Sequence, residues 1–217
     1  MLDFIRFAFA AACAACGRTL LIGSDDAFCE GCAPSVTRSG RWRCGADGMP
    51  IAGAFGYAGA MAAAIVRTKN GGGRVDLRAM QHDLTQLAVH LQAREPQVAL
   101  VPVPPQRRRL VERGMHLPDL IAAGLAQRGS GRRLVRALDR VDLHAVRRED
   151  RSELPQFRVR HAPGRQRDVL LIDDVVTTGQ TLGLAADALR QAGWRVRGAL
   201  CLADARPAVL AELLEAA

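Results

Sequence analysis

The chain has 217 residues, 49% hydrophobic and 24% charged, which is enough for one mid-sized domain with a core and a small appendage. This composition excludes a compositionally disordered chain, and no apolar run approaches the ~20 residues that a membrane span needs. The formal net charge of +8, mostly from arginine, favours anionic partners such as phosphorylated small molecules or nucleic acid, and a solvated basic surface is the alternative.

The start of the chain is apolar, and the residues before Cys13 faintly resemble a lipoprotein cleavage site. Asp3 and Arg6 interrupt the apolar stretch, and no basic leader precedes it, so a signal peptide fits poorly. The spacing of the cysteines accounts better for Cys13. We therefore expect a cytoplasmic protein.

The first four of the six cysteines form two C-x2-C pairs that are separated by twelve residues. These four are Cys13, Cys16, Cys29 and Cys32. A C-x2-C turn delivers two thiolates to one metal, and zinc takes four ligands in a tetrahedron. Because cysteine fills every ligand position, the spacing predicts a structural zinc ribbon within residues 1–48. Disulfides or a redox pair are the alternatives, and a cytosol disfavours both.

Two other cysteines lie outside these pairs. Cys44 looks like half of a further pair, because Asp47 stands where the second cysteine would fall. Cys201 lies in an apolar run, and we expect it to be a buried small hydrophobic residue.

The middle of the chain shows strand and helix patterns in turn. Residues 49–65 combine apolar residues with turn-like glycines and predict a short strand or hairpin. Apolar residues at helical spacing predict helices over 76–93 and 117–127. The apolar run 98–103 ends in prolines and predicts a buried strand, and 132–138 predicts a short strand or turn.

The last third begins with a polar, charged segment, 140–160, that predicts a long loop. Loops of this length in a compact domain are usually functional or mobile. Strands are predicted at 168–172 and 196–202, with a helix at 180–192 between them and a short helix at 207–216 after them.

This alternation predicts an α/β fold for residues 49–217, an open parallel sheet with helices on both faces. With the cysteine module at 1–48, the chain is predicted to have two domains.

The segment that follows the strand 168–172 combines the features of a phosphate site. Two carboxylates come first, then hydroxyls and a glycine, then a helix. The helix N-terminus offers free amides and a partial positive charge, and Gly179 lets the backbone approach a ligand, so no lysine is needed. The residues predicted to bind the ligand are Asp173, Asp174, Val175, Val176, Thr177, Thr178, Gly179, Gln180 and Thr181.

The two carboxylates of this segment need a partner other than the phosphate, which they would repel. They make sense as acceptors of hydrogen bonds from sugar hydroxyls, with the phosphate further along the loop, as in a ribose 5-phosphate. An aspartate pair for a bare metal, or a chance strand and turn, is the alternative. A Walker-type loop is excluded, because its glycine and lysine pattern is absent.

A second strand followed by a loop carries cations. The loop after the strand 98–103 contains Arg107, Arg108 and Arg113, and Lys69 lies in a glycine-flanked loop. Guanidinium groups pair well with phosphate oxygens, so these four residues are predicted to bind a pyrophosphate. Adjacent arginines cannot all face one ligand, so one or two of them are expected to be solvated.

The order of the segment 169–182 resembles the 5-phosphoribosyl-1-pyrophosphate (PRPP) loop of type I phosphoribosyltransferases. The whole arrangement is similar to the competence protein F (ComF) family, in which a cysteine zinc ribbon precedes a phosphoribosyltransferase-like domain. The residues that carry this resemblance are the four paired cysteines, Tyr57, Lys69, Gly72, Val101, Pro102, Val103, Pro104, Arg113, Gly114 and the segment 173–182.

The resemblance implies a PRPP-binding protein that transfers phosphoribosyl to an unknown acceptor and releases pyrophosphate. Asp173 and Asp174 would act as catalytic residues that hold the ribose hydroxyls, with Mg²⁺ shared with pyrophosphate. A role in natural transformation is also implied, beside a helicase and a recombination mediator, and homodimers are common in this fold. The alternative is a non-catalytic adaptor that binds single-stranded DNA and competence partners.

The chain departs from the family at two places. Met115, His116 and Leu117 follow Arg113-Gly114 where the family usually has Phe-Asn-Gln, and in the shortened loop 140–157 only Arg151 matches clearly. In transferases of this fold that loop closes over the reacting sugar, so these departures bear on catalysis more than on binding. No residue is predicted as a general base, although His116 and His144 are expected in loops near the site.

Overall fold

The computed structural model describes residues 12–20, 26–45, 47–71, 77–91, 98–106, 110–111, 115–128, 133–141, 156–164 and 167–205. The strands are β1 (Arg38–Cys44), β2 (Pro50–Gly56), β3 (Ala99–Pro102), β4 (Arg133–Leu134), β5 (Leu138–Val141), β6 (Gln156–Val159), β7 (Asp168–Val176) and β8 (Arg195–Asp204). The α-helices are α1 (Gly59–Lys69), α2 (Leu77–His90), α3 (Leu117–Arg128) and α4 (Gln180–Gln191).

The main sheet is mostly parallel. Six strands follow the order β1-β2-β8-β7-β3-β4, and each neighbouring pair is parallel except β1 and β2. The carboxyl ends of β3, β7 and β8 therefore meet at one edge, where ligands bind in open α/β sheets. The predicted α/β fold, an open parallel sheet, is confirmed.

Helices cover both faces of this sheet, which explains the apolar runs in its central strands. On one face α1, α2 and α3 pack with the buried residues Leu84 and Leu125 in a core shared with Leu170. On the other face α4 packs through Leu189 against Leu171. Adjacent residues of β7 thus face opposite cores, as the period of two in a strand requires.

The prediction for residues 49–65 holds for its first part, where β2 is a short strand. It is wrong for the rest, because β2 ends at Gly56 and a helix, α1, begins at Gly59. The first residue of α1 has φ +51°, and a Cβ there would lie 2.7 Å from the carbonyl oxygen of Ser35. Glycine is therefore required at this position, and it marks a close helix start instead of a hairpin turn.

The predicted loop 140–160 is also wrong in part. β5 and β6 form a separate two-stranded antiparallel sheet in which Leu138 pairs with Val159 and Val141 with Gln156. In β6 exposed and partly buried residues alternate, and Phe157 packs against the core on the α4 side. This alternation can be read from the sequence of β6, but it covers only four residues within a charged segment and therefore did not predict a strand.

The strand predicted at 168–172 is longer in the structure. β7 continues to Val176, and Asp173 lies beside Cys201 of β8 within the parallel ladder. The two carboxylates are therefore held by the sheet itself and do not follow its end.

The cysteine-rich part of the chain contributes β1, which pairs with β2 through Trp42 and Ala52. The division between residues 48 and 49 stays a prediction, and the helix predicted at 207–216 lies outside the described residues. Among the residues that the structure describes, no helix combines the length and the apolar character that crossing a membrane demands.

Candidate functional site

Asp173 and Asp174 occupy the carboxyl-terminal part of β7, and both are partly buried. The Asp174 N–H donates a hydrogen bond of 2.8 Å to Asp173 Oδ1. Burial and the adjacent charge of Asp174 raise the pKa of Asp173 to about 7. Asp173 therefore exchanges a proton near neutral pH, an uncommon property for a carboxyl group in a stable fold.

Lys69 faces this pair from another element. Its Nζ lies 2.8 Å from Asp174 Oδ2, and the two side chains are 25% and 19% exposed. Lys69 is the last residue of α1, so the helix that the sequence did not predict positions the cation. The charge of Lys69 also lowers the pKa of Asp173, against the larger effect of burial.

The segment between β7 and α4 forms a tight concave turn. Gly179 adopts φ +82° as the N-cap of α4 without a side-chain cap, and the Gln180 N–H donates to Thr178 Oγ1 at 3.3 Å. Thr177 and Thr178 are exposed. A cavity of about 40 Å³ is lined by Asp173 and by residues 175–182. The structure thus brings the predicted phosphate-binding residues around one small space at a helix N-terminus.

Two further cavities lie on the side of Asp174. The first, of about 30 Å³, is lined by Lys69, Asp174, Pro105 and His116 among others. The second is larger, about 650 Å³, and Pro105 and His116 line it as well. Pro105 and His116 therefore join the large cavity to the small one at Asp174, whose neighbour Asp173 lines the cavity of the turn.

His116 belongs to a charged network that lines the large cavity. Its Nδ1 lies 3.4 Å from Asp119 Oδ2, and the same carboxylate oxygen lies 3.4 Å from an amino nitrogen of Arg136. Burial raises the pKa of Asp119, but the hydrogen bond from His116 and the charge of Arg136 outweigh it and lower that pKa overall. Sequence reasoning missed Asp119 and Arg136. The spacing of three residues from His116 to Asp119 at the start of α3 was the available signal.

The four paired cysteines converge. The Sγ atoms of Cys13, Cys16, Cys29 and Cys32 all lie within 4.8 Å of one another. Cys16 Sγ and Cys29 Sγ are 3.7 Å apart, close to the ~3.8 Å edge of a tetrahedron with Zn–S bonds of ~2.3 Å. This arrangement of soft ligands fits one zinc ion.

The thiols of the cluster differ in proton affinity. Burial raises the pKa of Cys13, but backbone hydrogen bonds from Cys16, Cys29 and Ala15 outweigh it and lower the value to about 6. The hydrogen bond with Cys29 raises the pKa of Cys32 to about 12. Neighbouring thiolates repel one another, and a bound divalent cation would remove that cost.

The other two cysteines stand apart from this cluster. Cys44 is exposed, and Asp47 near it accepts the Met49 N–H at 3.1 Å and pairs with Arg190 Nη1 at 2.5 Å. Asp47 is thus part of a turn that ties the chain to α4. Cys201 is fully buried, as predicted.

The remaining predicted site residues lie outside the described part of the chain. They are Arg107, Arg108, Arg113, His144 and Arg151.

The comparisons with known proteins give a structural likeness and no likeness in sequence. No protein-family model matches the chain, and no curated protein matches it. Among solved structures, the chain is similar to orotate phosphoribosyltransferase from Aeropyrum pernix at 20% identity, over 84% of this chain and 82% of that one, with a TM-score of 0.28. The strand order and pairing given above define the fold without this likeness.

Proposed function

We propose that the chain is a PRPP-binding, phosphoribosyltransferase-like protein of the ComF type. One observation carries this proposal: Asp173 and Asp174 lie in the last part of a central parallel strand, directly before a turn that ends at the N-terminus of α4. Two carboxylates beside an anion-binding helix end suit a ligand with hydroxyls at one side and a phosphate at the other.

In this proposal the two parts of the turn bind different parts of the ligand. Asp173 and Asp174 accept hydrogen bonds from the ribose hydroxyls, and the raised pKa of Asp173 makes that acceptance depend on pH. The backbone amides and hydroxyls from Val175 to Thr181 hold the 5-phosphate. Gly179 has no Cβ, so the backbone can come close to the phosphate oxygens.

The pyrophosphate group would be neutralised by Lys69 together with Arg107, Arg108 and Arg113. The Lys69 Nζ, 2.8 Å from Asp174 Oδ2, supports a cation beside the sugar end of the ligand. The carboxylate oxygens of Asp173 and Asp174 are the hard donors that Mg²⁺ prefers. Bound there, Mg²⁺ supplies further positive charge for the leaving group.

The protein forms no covalent bond to the sugar in this transfer. An acceptor attacks C1 of the sugar, the bond from C1 to the pyrophosphate oxygen breaks, and the pyrophosphate leaves with the bonding pair. The sugar is cationic in the transition state, so the residues act by positioning both reactants and neutralising the leaving group.

A second candidate function is a non-catalytic adaptor for single-stranded DNA during natural transformation. The net charge of +8 and the exposed side chains of Arg136, Arg158 and Arg160 favour it. Such binding is mainly electrostatic and weakens steeply with salt. It should survive Asp173→Asn, whereas binding of PRPP should not.

The test is calorimetric titration of the zinc-replete protein with PRPP, with and without Mg²⁺. We expect saturable, Mg²⁺-dependent binding that the double variant Asp173→Asn/Asp174→Asn loses. Asp168→Asn is the matched control, because Asp168 lies on the same strand at its opposite end. A folded protein that shows no heat of binding would contradict the proposal and leave the adaptor.

A further inference from the structure

The large cavity of about 650 Å³ has a volume typical of small-molecule sites. Its walls have two kinds of surface. Three prolines from the end of β3 and the following residues, with Leu138 and Val141 of β5, form an apolar wall. Four arginines contribute the charged wall: Arg136, Arg140, Arg158 and Arg160.

The charge of this lining is positive. Among the lining residues that the structure describes, four guanidinium groups face two carboxylates, Asp119 and Asp139, which gives a formal charge of +2 when His116 is neutral. Asp139 accepts two hydrogen bonds from Arg160, at 3.0 and 2.6 Å, and lies 3.9 Å from Arg158. Each carboxylate is thus shared between two cationic or potentially cationic groups of the lining.

The arginine heads are accessible to a ligand. The side chains of Arg158 and Arg136 are 77% and 59% exposed, whereas their partners Asp139 and Asp119 are 33% and 28% exposed. An anion can therefore reach the guanidinium groups from solvent more readily than it can reach the less exposed carboxylates. A planar carboxylate or phosphate suits the fork of a guanidinium.

The large cavity lies close to the aspartate pair. Arg140 lines the cavity and its charge lowers the pKa of Asp173, so the two lie within electrostatic reach. His116 and Pro105 line both the large cavity and the small one at Asp174. A molecule in the large cavity would therefore lie next to a ligand on β7.

We infer that this cavity is a second ligand site, for a molecule with an apolar part that bears a carboxylate or a phosphate. The apolar part lies against the proline and leucine wall, and the anionic group lies at Arg136 and Arg158. On the proposed function, the molecule bound here is the phosphoribosyl acceptor. That assignment rests on the proposed function, whereas binding to the cavity does not.

The test uses three probes of one shape: 1-naphthoate, 1-naphthyl phosphate and the neutral 1-naphthamide. Each is titrated into the full chain without PRPP and followed by ¹H–¹⁵N NMR shifts. We expect at least one anion to bind saturably, about tenfold or more tightly than the amide, which corresponds to ~1.4 kcal/mol. The preferred anion tells whether the ligand carries a carboxylate or a phosphate.

Single arginine variants locate the binding. Arg136→Gln and Arg158→Gln should each weaken binding of the anion by about tenfold, because each removes a charge-assisted hydrogen bond. Arg38→Gln is the control, since Arg38 is equally exposed, pairs with Asp83 at 3.4 Å and does not line the cavity. The Arg38 variant should bind like the unmodified chain.

Three results with the naphthyl probes would overturn the inference. They are equal binding of amide and anions, an equal loss in the Arg38 variant, and no saturable binding of any probe. Binding of a short oligothymidylate that neither naphthyl anion displaces would also overturn it, in favour of a nucleic-acid surface. PRPP binding is measured in a separate titration of the unmodified chain and the Asp173→Asn/Asp174→Asn variant. If the anions bind and PRPP does not, the proposed function fails and the cavity site stands; the reverse pattern removes only the cavity site.

Discussion

Ser35 caps a helix that begins 24 residues after it: its Oγ accepts the Ala60 N–H of α1 at 3.0 Å. The same hydroxyl donates to the carbonyl oxygen of Cys32 at 2.9 Å. At the other end of α1, a Cβ on Gly17 would lie 2.0 Å from an Arg67 guanidinium nitrogen. Residues close in sequence to the cysteine cluster thus contact both the first and the last turn of the helix that carries Lys69.

Ser35→Ala should lower the free energy of unfolding by about 1 kcal/mol, because it removes a side-chain acceptor of an N–H at the start of α1. Thermal or urea unfolding of the zinc-replete protein measures this change. Ser39→Ala on β1 is the control, since it makes the same substitution within a strand and not at a helix start. A loss of equal size in both variants would contradict a capping role for Ser35.

Zinc binding is testable on the cysteines one at a time. Cys16→Ser should remove stoichiometric zinc and lower the melting temperature, because a structural zinc site contributes its binding energy to folding. Cys44→Ser should keep one zinc per chain, since Cys44 is exposed and lies outside the cluster of four. Metal content by mass spectrometry and melting curves with and without a chelator measure both. Zinc retained by the Cys16 variant would contradict the four-cysteine site.

Much of this arrangement could be predicted because it is local in sequence. Each C-x2-C pair places two sulfurs within one turn, and the apolar run in β7 marks a strand buried on both faces. The turn that ends at Gly179 is also local, since the strand, the hydroxyls and the helix start are consecutive.

The parts that sequence reasoning missed depend on contacts between distant residues. The start of α1 was hidden because its cap comes from Ser35 and not from Ala58, which precedes the helix. Asp47 looked like a lost cysteine, but it pairs with Arg190, 143 residues further along the chain. No pattern among neighbouring residues could have indicated a partner so far along the chain.

Asp173 should make stability depend on pH. Burial and the charge of Asp174 raise the pKa of Asp173 from 3.8 to about 7, so between these values the folded chain keeps a proton that the unfolded chain has lost. The free energy of unfolding therefore falls as pH rises across this window, and the cost is complete above about 7. Asp173→Asn removes the charge and can still accept the Asp174 N–H.

The variant Asp173→Asn should therefore melt at a higher temperature than the unmodified chain at pH 8, and at nearly the same temperature at pH 4. Asp168→Asn should do the opposite at pH 8, because Asp168 pairs with Arg195 and Arg197 at 2.5 Å each. Melting curves across the pH range compare the two. A lower melting temperature for the Asp173 variant at pH 8 would show that its charge does not cost stability.

Lys69 should hold the pKa of Asp173 down. Its charge lowers that pKa against the larger effect of burial, and its Nζ lies 2.8 Å from Asp174. Lys69→Gln removes the charge, so the pKa of Asp173 should rise above about 7, as read from its carboxyl ¹³C shift against pH. The variant should also bind PRPP about tenfold more weakly, because one charge-assisted contact to the pyrophosphate is lost.

Arg38→Gln is the control for both readouts, since Arg38 is 74% exposed and pairs with Asp83 on α2. If the Lys69 variant left the titration of Asp173 unchanged, Lys69 would not act on the aspartate pair. If the titration shifted while the affinity for PRPP stayed the same, Lys69 would tune Asp173 without touching the pyrophosphate. The two readouts therefore separate the electrostatic role of Lys69, which its position beside Asp174 supports, from the ligand contact proposed for it.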